Sequence, residues 1–588
     1  MFNFTGSARR PRQVNLSGRK STPTTPTSSS LRNKPAPSSS VQNAQKERAA
    51  REAERKRLKA TETIQRIWRG RKVAEKVRNE WRSEWDQLSS ASTENDTITA
   101  RMSLFLGFMD TRRKKGQRKW SKVDLMRLDT MVLLTRTLIS RDGALDTSEI
   151  RVRFLRVKFG KLLVDAVSIG AVEGELLGQS LGVLSLLAWK HPELVDEEYY
   201  TALSNATASI DSNFRYSTEL AEAVVSPLKP ITDGDNSHVD TAYKAFSSRY
   251  LVTPNLISLL GERSAKELVA AVDVQKVAMS FNVEMDTDSM LWLLAHVIYL
   301  SRHGKEAVDT TDENSPKLSA QNEQYINFLS MLLSSVANEV SQRIDIEDVT
   351  MEGQEESKDD GQSSKKLCIK KEPLPIFVKQ QIESLVQQSS ISSLLTSTIS
   401  TDGNAKVLAG FALTLILVFT ARRTDMRFWL CVALTADGIS AVKYVWNAVK
   451  QCQLFALIKG DAASAVDYLK YPPVLRVGSS AKSVEDQWNL ILLFLEMYSF
   501  VLVTGDDHEF LQGTGRQLPL SEASELSVFL KNLSFAMFWW NGHIVGEDKT
   551  KDSSGEVFSK TQDTGRAWEL DYFRNMVTDV VKAIYTRE

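Results

Sequence analysis

The side chains best suited to covalent or metal chemistry are few and dispersed. Cys368, Cys431 and Cys452 are the only thiols in 588 residues, and the six histidines form no cluster. A cysteine nucleophile needs a thiolate held beside acid–base and acyl-positioning groups. A structural zinc site needs Cys and His in closely spaced pairs. Neither arrangement occurs. Cys368 is flanked by Lys365, Lys366, Lys370 and Lys371, cations that favour a thiolate, but with no histidine nearby it reads as inert. Cys431, in FWLCVAL, and Cys452, after another helical segment, read as core thiols. His296, inside LWLLAHVIYL, reads as a core histidine. The pairs Asp359-Asp360 and Asp506-Asp507 read as solvated turns. Phosphate-cradling, dinucleotide, zincin and nucleophile-elbow motifs are absent. No catalytic residue, metal ligand or cofactor is therefore expected, and three cysteines without a disulfide framework suit a reducing compartment.

Recognition chemistry is concentrated in one segment, KATETIQRIWRGRKVAEKV, from Lys59 to Val77. Ile64-Gln65 followed by Arg69-Gly70 is close to an IQ motif, the helix that light-chain-type EF-hand proteins grip. Ile64, Ile67, Trp68, Ala74 and Val77 recur at three- and four-residue steps and predict one apolar stripe. Arg66, Arg69, Arg71, Lys72 and Lys76 surround it. Such a helix lays its apolar face into the groove of a calmodulin-like lobe while acidic rims meet its cations. Gln65 would add amide hydrogen bonds, and Gly70 would permit close approach. Ala74 stands where the pattern has a second basic residue. The expected partner-binding residues are Ile64, Gln65, Trp68, Arg69, Gly70 and Val77. The bland alternative is that Ile64, Trp68 and Val77 dock the helix on the rest of the protein.

The elements that must present this segment are helical. Residues 1–42 read as a disordered basic tail: no acid precedes Glu47, while Arg9, Arg10, Arg12, Arg19, Lys20, Arg32 and Lys34 are all present. Its prolines would break the amphipathic helix of a mitochondrial signal. Residues 43–90 read as a long basic helix laced by local ion pairs, whose acidic neighbours make nucleic acid an unexpected partner. Residues 91–350 and 374–588 read as two halves of a helical body, joined by a charged disordered linker at 351–373. The body is expected to be all-α, an irregular armadillo/HEAT-like solenoid, because helical periodicity recurs without strand alternation. The apolar run from Val407 to Thr420 falls short of the roughly 20 residues that cross a bilayer, so it reads as a buried helix and no membrane partner is expected. The net charge of +1 points to no class of partner.

Several blocks together carry a family resemblance. MFNFTGSARRPRQVNLSGR, the IQ helix, the stretch from Trp488 to Phe510, FLKNLSFAMFWW and the closing FRNMVTDVVKAIYTRE resemble, in that order, the region preceding the catalytic domain of IQ-containing HECT ubiquitin ligases, in their proteasome-associated branch. The similarity spans most of the chain and is diffuse between Leu88 and Leu374. It implies partners of three kinds: a calmodulin-like protein at the IQ helix, ubiquitination substrates, and the proteasome. A ubiquitin-conjugating enzyme would act only through the HECT domain, which is expected to follow Glu588 and is missing here, so the chain alone is expected not to transfer ubiquitin. A cytoplasmic or nuclear location is expected. The other reading of the same residues is a stand-alone IQ scaffold for calmodulin-like proteins.

Overall fold

A computed structural model describes residues 37–88, 95–109, 120–141, 150–209, 216–230, 237–281, 285–308, 317–349, 373–391, 405–433, 440–463, 479–513, 515–539 and 570–586. Residues 1–36 of the expected tail and most of the expected linker at 351–373, with Cys368, lie outside them. Among the described residues every regular element is a helix and none is a strand. The chain forms two compact units, 1–80 and 81–588.

In the first unit the described element is α1 (Pro37–Gln87), a 51-residue helix whose last turns belong to the second unit. It begins six residues before the expected tail-to-helix boundary at residue 43. Proline in the first helical position explains the shift, since its fixed φ suits that turn and its missing N–H would have had no partner there. Every residue from 43 to 73 is exposed. A helix polar all round depends on local pairing, and Glu47–Arg51 at 3.1 Å, Glu52–Lys56 at 3.0 Å and Lys76–Glu80 at 3.8 Å supply it at i,i+4 spacing.

From residue 95 to residue 418 the second unit is a stack in which each helix packs on the next but one. In one layer α2 (Asn95–Met109), α4 (Ile150–Ser168), α6 (Glu197–Ala208), a π-turn at Phe246–Tyr250, α8 (Ser237–Ala245), α10 (Val274–Ser280) and α12 (Lys317–Val349) follow one another. In the other, α3 (Lys122–Arg141), α5 (Gly174–Lys190), α7 (Ser217–Val225), α9 (Leu256–Ala271), α11 (Thr287–Val308) and α13 (Ile376–Leu385) do the same. The first layer then passes from α12 to α14 (Ala405–Val418), α18 (Ser479–Thr504) and α21 (Leu570–Tyr585). The halves expected on either side of the linker are thus one compact unit. Each helix buries its apolar stripe on its neighbours, the arrangement that gives solenoids their stability.

Local chemistry fixes the stacking. Asp196 caps α6 by accepting from the Glu198 and Tyr199 amides, both at 3.0 Å. The hydroxyls of Tyr199 and Tyr200 reach back to the Ala223 and Val224 carbonyls at the end of α7, 2.7 and 3.2 Å away. Gly178 lets α5 approach the Tyr216 ring so closely that a Cβ would lie 2.3 Å from its Cδ1 atom. Gly178→Ala gains helix propensity but overpacks this contact, and a net loss of about 1–3 kcal/mol is expected in chemical denaturation.

The run from Val407 to Thr420 is the buried helix α14, as expected, and the chain turns by 107° between it and the segment Thr420–Val432. The short helices α15 (Arg423–Val432), α16 (Ala441–Lys450) and α17 (Gln453–Gly460) surround α18. Val484–Thr504 of α18 is long and apolar enough to cross a bilayer by length and composition, yet 83% of its most apolar window is buried inside the protein. An all-round apolar helix is a core helix when neighbours cover every face, and from Leu490 to Leu495 every side chain is at most 1% exposed.

Candidate partner-binding helix

The IQ segment sits mid-helix in α1, where Thr61 and Thr63 turn their hydroxyls onto the Arg57 and Lys59 carbonyls and leave the outer surface to longer side chains. Ile64, Ile67 and Trp68 are 66%, 49% and 57% exposed. Large apolar side chains so exposed are the usual mark of a partner surface. Lys72 lies over the Trp68 ring, 4.7 Å from its centroid, a cation–π contact within the helix. Gln65, Arg69 and Gly70 are exposed, and a Cβ at Gly70 would meet nothing within 4 Å. The helix surface is open at the glycine, as close approach by a partner requires.

The stripe is shorter than its spacing suggested. At about 100° per residue, Ile64, Ile67 and Trp68 share an arc of about 100°, and Arg71 falls within it one turn on. Val77 lies about 140° from Ile64 and is only half-buried, as is Ala74. Steps of three accumulate rotation one way, so a chain of such steps walks off the face. The apolar surface is therefore about two turns long and ends at a guanidinium, with Val77 outside it.

Charge is distributed unevenly along the same helix. The acid–base pairs lie before Arg57 and after Glu75, and among the described residues Arg57, Lys59, Arg66, Arg69 and Arg71 have no carboxylate partner. Cations without an ion pair thus flank the exposed stripe, as Lys46, Arg48 and Arg55 do nearer the helix start, and are available to an acidic partner surface.

The residues weighed for chemistry lie elsewhere. Cys431 and Cys452 are buried at 1% and 4% exposure. Burial pushes the Cys431 thiol up to about 12 and raises that of Cys452, so neither offers a thiolate at neutral pH. His296 is fully buried against Trp292 and Phe377. Asp506 and Asp507 sit at the start of a short helix, Asp507–Gln512, where their charge suits the positive end of the helix. No group of three or more His, Cys, Asp or Glu among the described residues could hold a metal ion.

Sequence reasoning missed Glu496. It is wholly buried on α18, with Arg423 at 2.7 Å, Arg427 at 2.5 Å and the Tyr572 hydroxyl of α21 all on its carboxylate. The available signal was a lone acid in an otherwise apolar run. No family model, no curated protein and no solved structure matches this chain.

Proposed function

We propose that this chain is the partner- and substrate-binding region of a HECT-type ubiquitin ligase of the IQ-containing, proteasome-associated kind. In this reading α1 grips a calmodulin-like protein, the helical stack presents substrates for proteasomal degradation, and a HECT domain performs the transfer. The ligase assignment rests on the ordered resemblance of the terminal blocks. The observation that carries the partner-binding role is the exposed Ile64–Ile67–Trp68 stripe among unpaired cations. Buried apolar anchors in a partner groove with acidic rims are the physical complement of that surface.

Titration of the full chain with calmodulin, with and without calcium, tests the α1 role. Ile64→Asp with Trp68→Asp is expected to weaken binding by about thirtyfold, the loss of roughly 2 kcal/mol that follows removal of two interface anchors. Equal binding by both proteins would mean charge attraction alone. Joining the chain to a HECT domain and loading it with ubiquitin tests the ligase role: a reductant-sensitive thioester that passes ubiquitin to a substrate retained by the chain is expected. Binding of calmodulin by a chain whose HECT fusion modifies no retained substrate would favour the stand-alone IQ scaffold, which the same stripe also supports.

A further inference from the structure

Helix α3 leads its layer of the stack: it packs on α2 and α5, and its remaining flank carries a regular pattern. Val123, Met126 and Leu133 are 54%, 71% and 45% exposed. With Thr130 and Thr137 they follow the 3-4-3-4 spacing of a coiled-coil seam, Val123, Thr130 and Thr137 at one core position and Met126 and Leu133 at the other. The threonine hydroxyls turn inward, Thr130 donating to the Met126 carbonyl at 3.1 Å and Thr137 to that of Leu134 at 2.8 Å. That satisfies their polar atoms within the helix.

The charges beside the seam alternate in sign. Lys122, Asp129 and Arg136 recur at seven-residue intervals along one edge, and among the described residues none of the three has an ion-pair partner. The other edge is closed. Arg127 there is committed to Asp86 at 2.7 Å and Asp124 at 2.8 Å, and Leu134 is buried.

We infer that the Val123–Thr137 face of α3 is a docking seam for a helix of another protein that carries an apolar heptad stripe edged by acidic, basic and acidic residues in that order. The charges select this occupant over a second copy of the chain. An antiparallel self-pairing sets Lys122 against Arg136 and Asp129 against Asp129, and a parallel one sets Lys122 against Arg127, so each juxtaposes like charges. A helix of the opposite pattern meets an attractive partner at all three positions.

The test uses two synthetic three-heptad peptides with Ile and Leu at the core positions, one edged Glu-Lys-Glu and the other Lys-Glu-Lys, titrated against the full chain by fluorescence anisotropy. The Glu-Lys-Glu peptide is expected to bind about tenfold more tightly than its charge-reversed twin, from three modest surface pairs. The variant Leu133→Asp, an exposed position where circular dichroism should stay unchanged, is expected to lose that binding. Lys122→Glu with Asp129→Lys and Arg136→Glu is expected to invert the preference. Equal or absent binding of the two peptides overturns the inference. So does a chain whose sedimentation shows a dimer that Leu133→Asp dissolves, because the seam would then belong to a second copy.

Discussion

Replacing Glu496 by Gln is expected to cost the C-terminal part of the stack about 3 kcal/mol or more, the largest effect of any single substitution considered. The carboxylate has no exposed surface, and it is the common acceptor for Arg423 on α15, Arg427 on α15 and Tyr572 on α21. Removing one partner of a buried ion pair typically costs 3–5 kcal/mol, because the remaining charges stay desolvated. The Arg423 and Arg427 side chains are 32% and 18% exposed and recover some hydration, so the lower end applies. The loss should be local: faster hydrogen exchange over 423–432, 484–504 and 570–585, with 150–225 unchanged, because repeat-like stacks open by segments. Uniform acceleration over the whole unit would contradict it. A Glu496→Leu variant that also carries Arg427→Met should recover part of the loss, since apolar replacements of buried charges are often tolerated.

The second large effect is a loss of stability in mild acid. His296 donates its Nδ1 hydrogen to the Leu251 carbonyl at 2.7 Å, while its Nε2 has no hydrogen-bond partner. Burial of the ring disfavours the imidazolium most, outweighing the carbonyl contact, and brings its pKa down to about 4 from 6.5. His191 is lowered in the same direction, chiefly by burial. A folded pKa below the unfolded one means the unfolded chain binds the proton first. The neutral-ring contribution is therefore complete above pH 6.5 and is lost as pH falls from 6.5 towards 4, by roughly 3 kcal/mol for His296. His296→Phe should keep the ring stack, lose a little stability at pH 7.5 through the unpaired Leu251 carbonyl, and flatten the slope between pH 6.5 and 4. An unchanged slope in urea midpoints would exclude His296 as its source.

The helical class was legible because three- and four-residue periodicity recurs throughout, and α14 was legible as a buried helix from its length. His296 and Cys431 were read as core residues from their apolar neighbours, and Cys452 from the helical segment before it. Features that depend on rotation or on distant partners were not. The stripe on α1 was drawn through Val77 by counting steps, whereas helix geometry carries that residue off the face and puts Arg71 on it. Glu496 acquires its meaning only when α15 and α21 bring two guanidinium groups and a phenol to it from 69 or more positions away in sequence. The start of α1 at Pro37 was hidden by the habit of reading proline as a breaker, when the first turn is the place in a helix that tolerates it. The layered order of the stack was not legible either, because periodicity identifies a buried face without naming its neighbour.

That next-but-one order also sets how the second unit can be made. Helix α2 meets its layer neighbour once α4 has been synthesised, and α3 once α5 has. Most closures are therefore short, and each costs little loop entropy. Folding can keep pace with a ribosome, the leading helices consolidating while α18 is still untranslated. That long apolar helix then emerges onto an assembled surface, which limits the time its bare faces are open to aggregation.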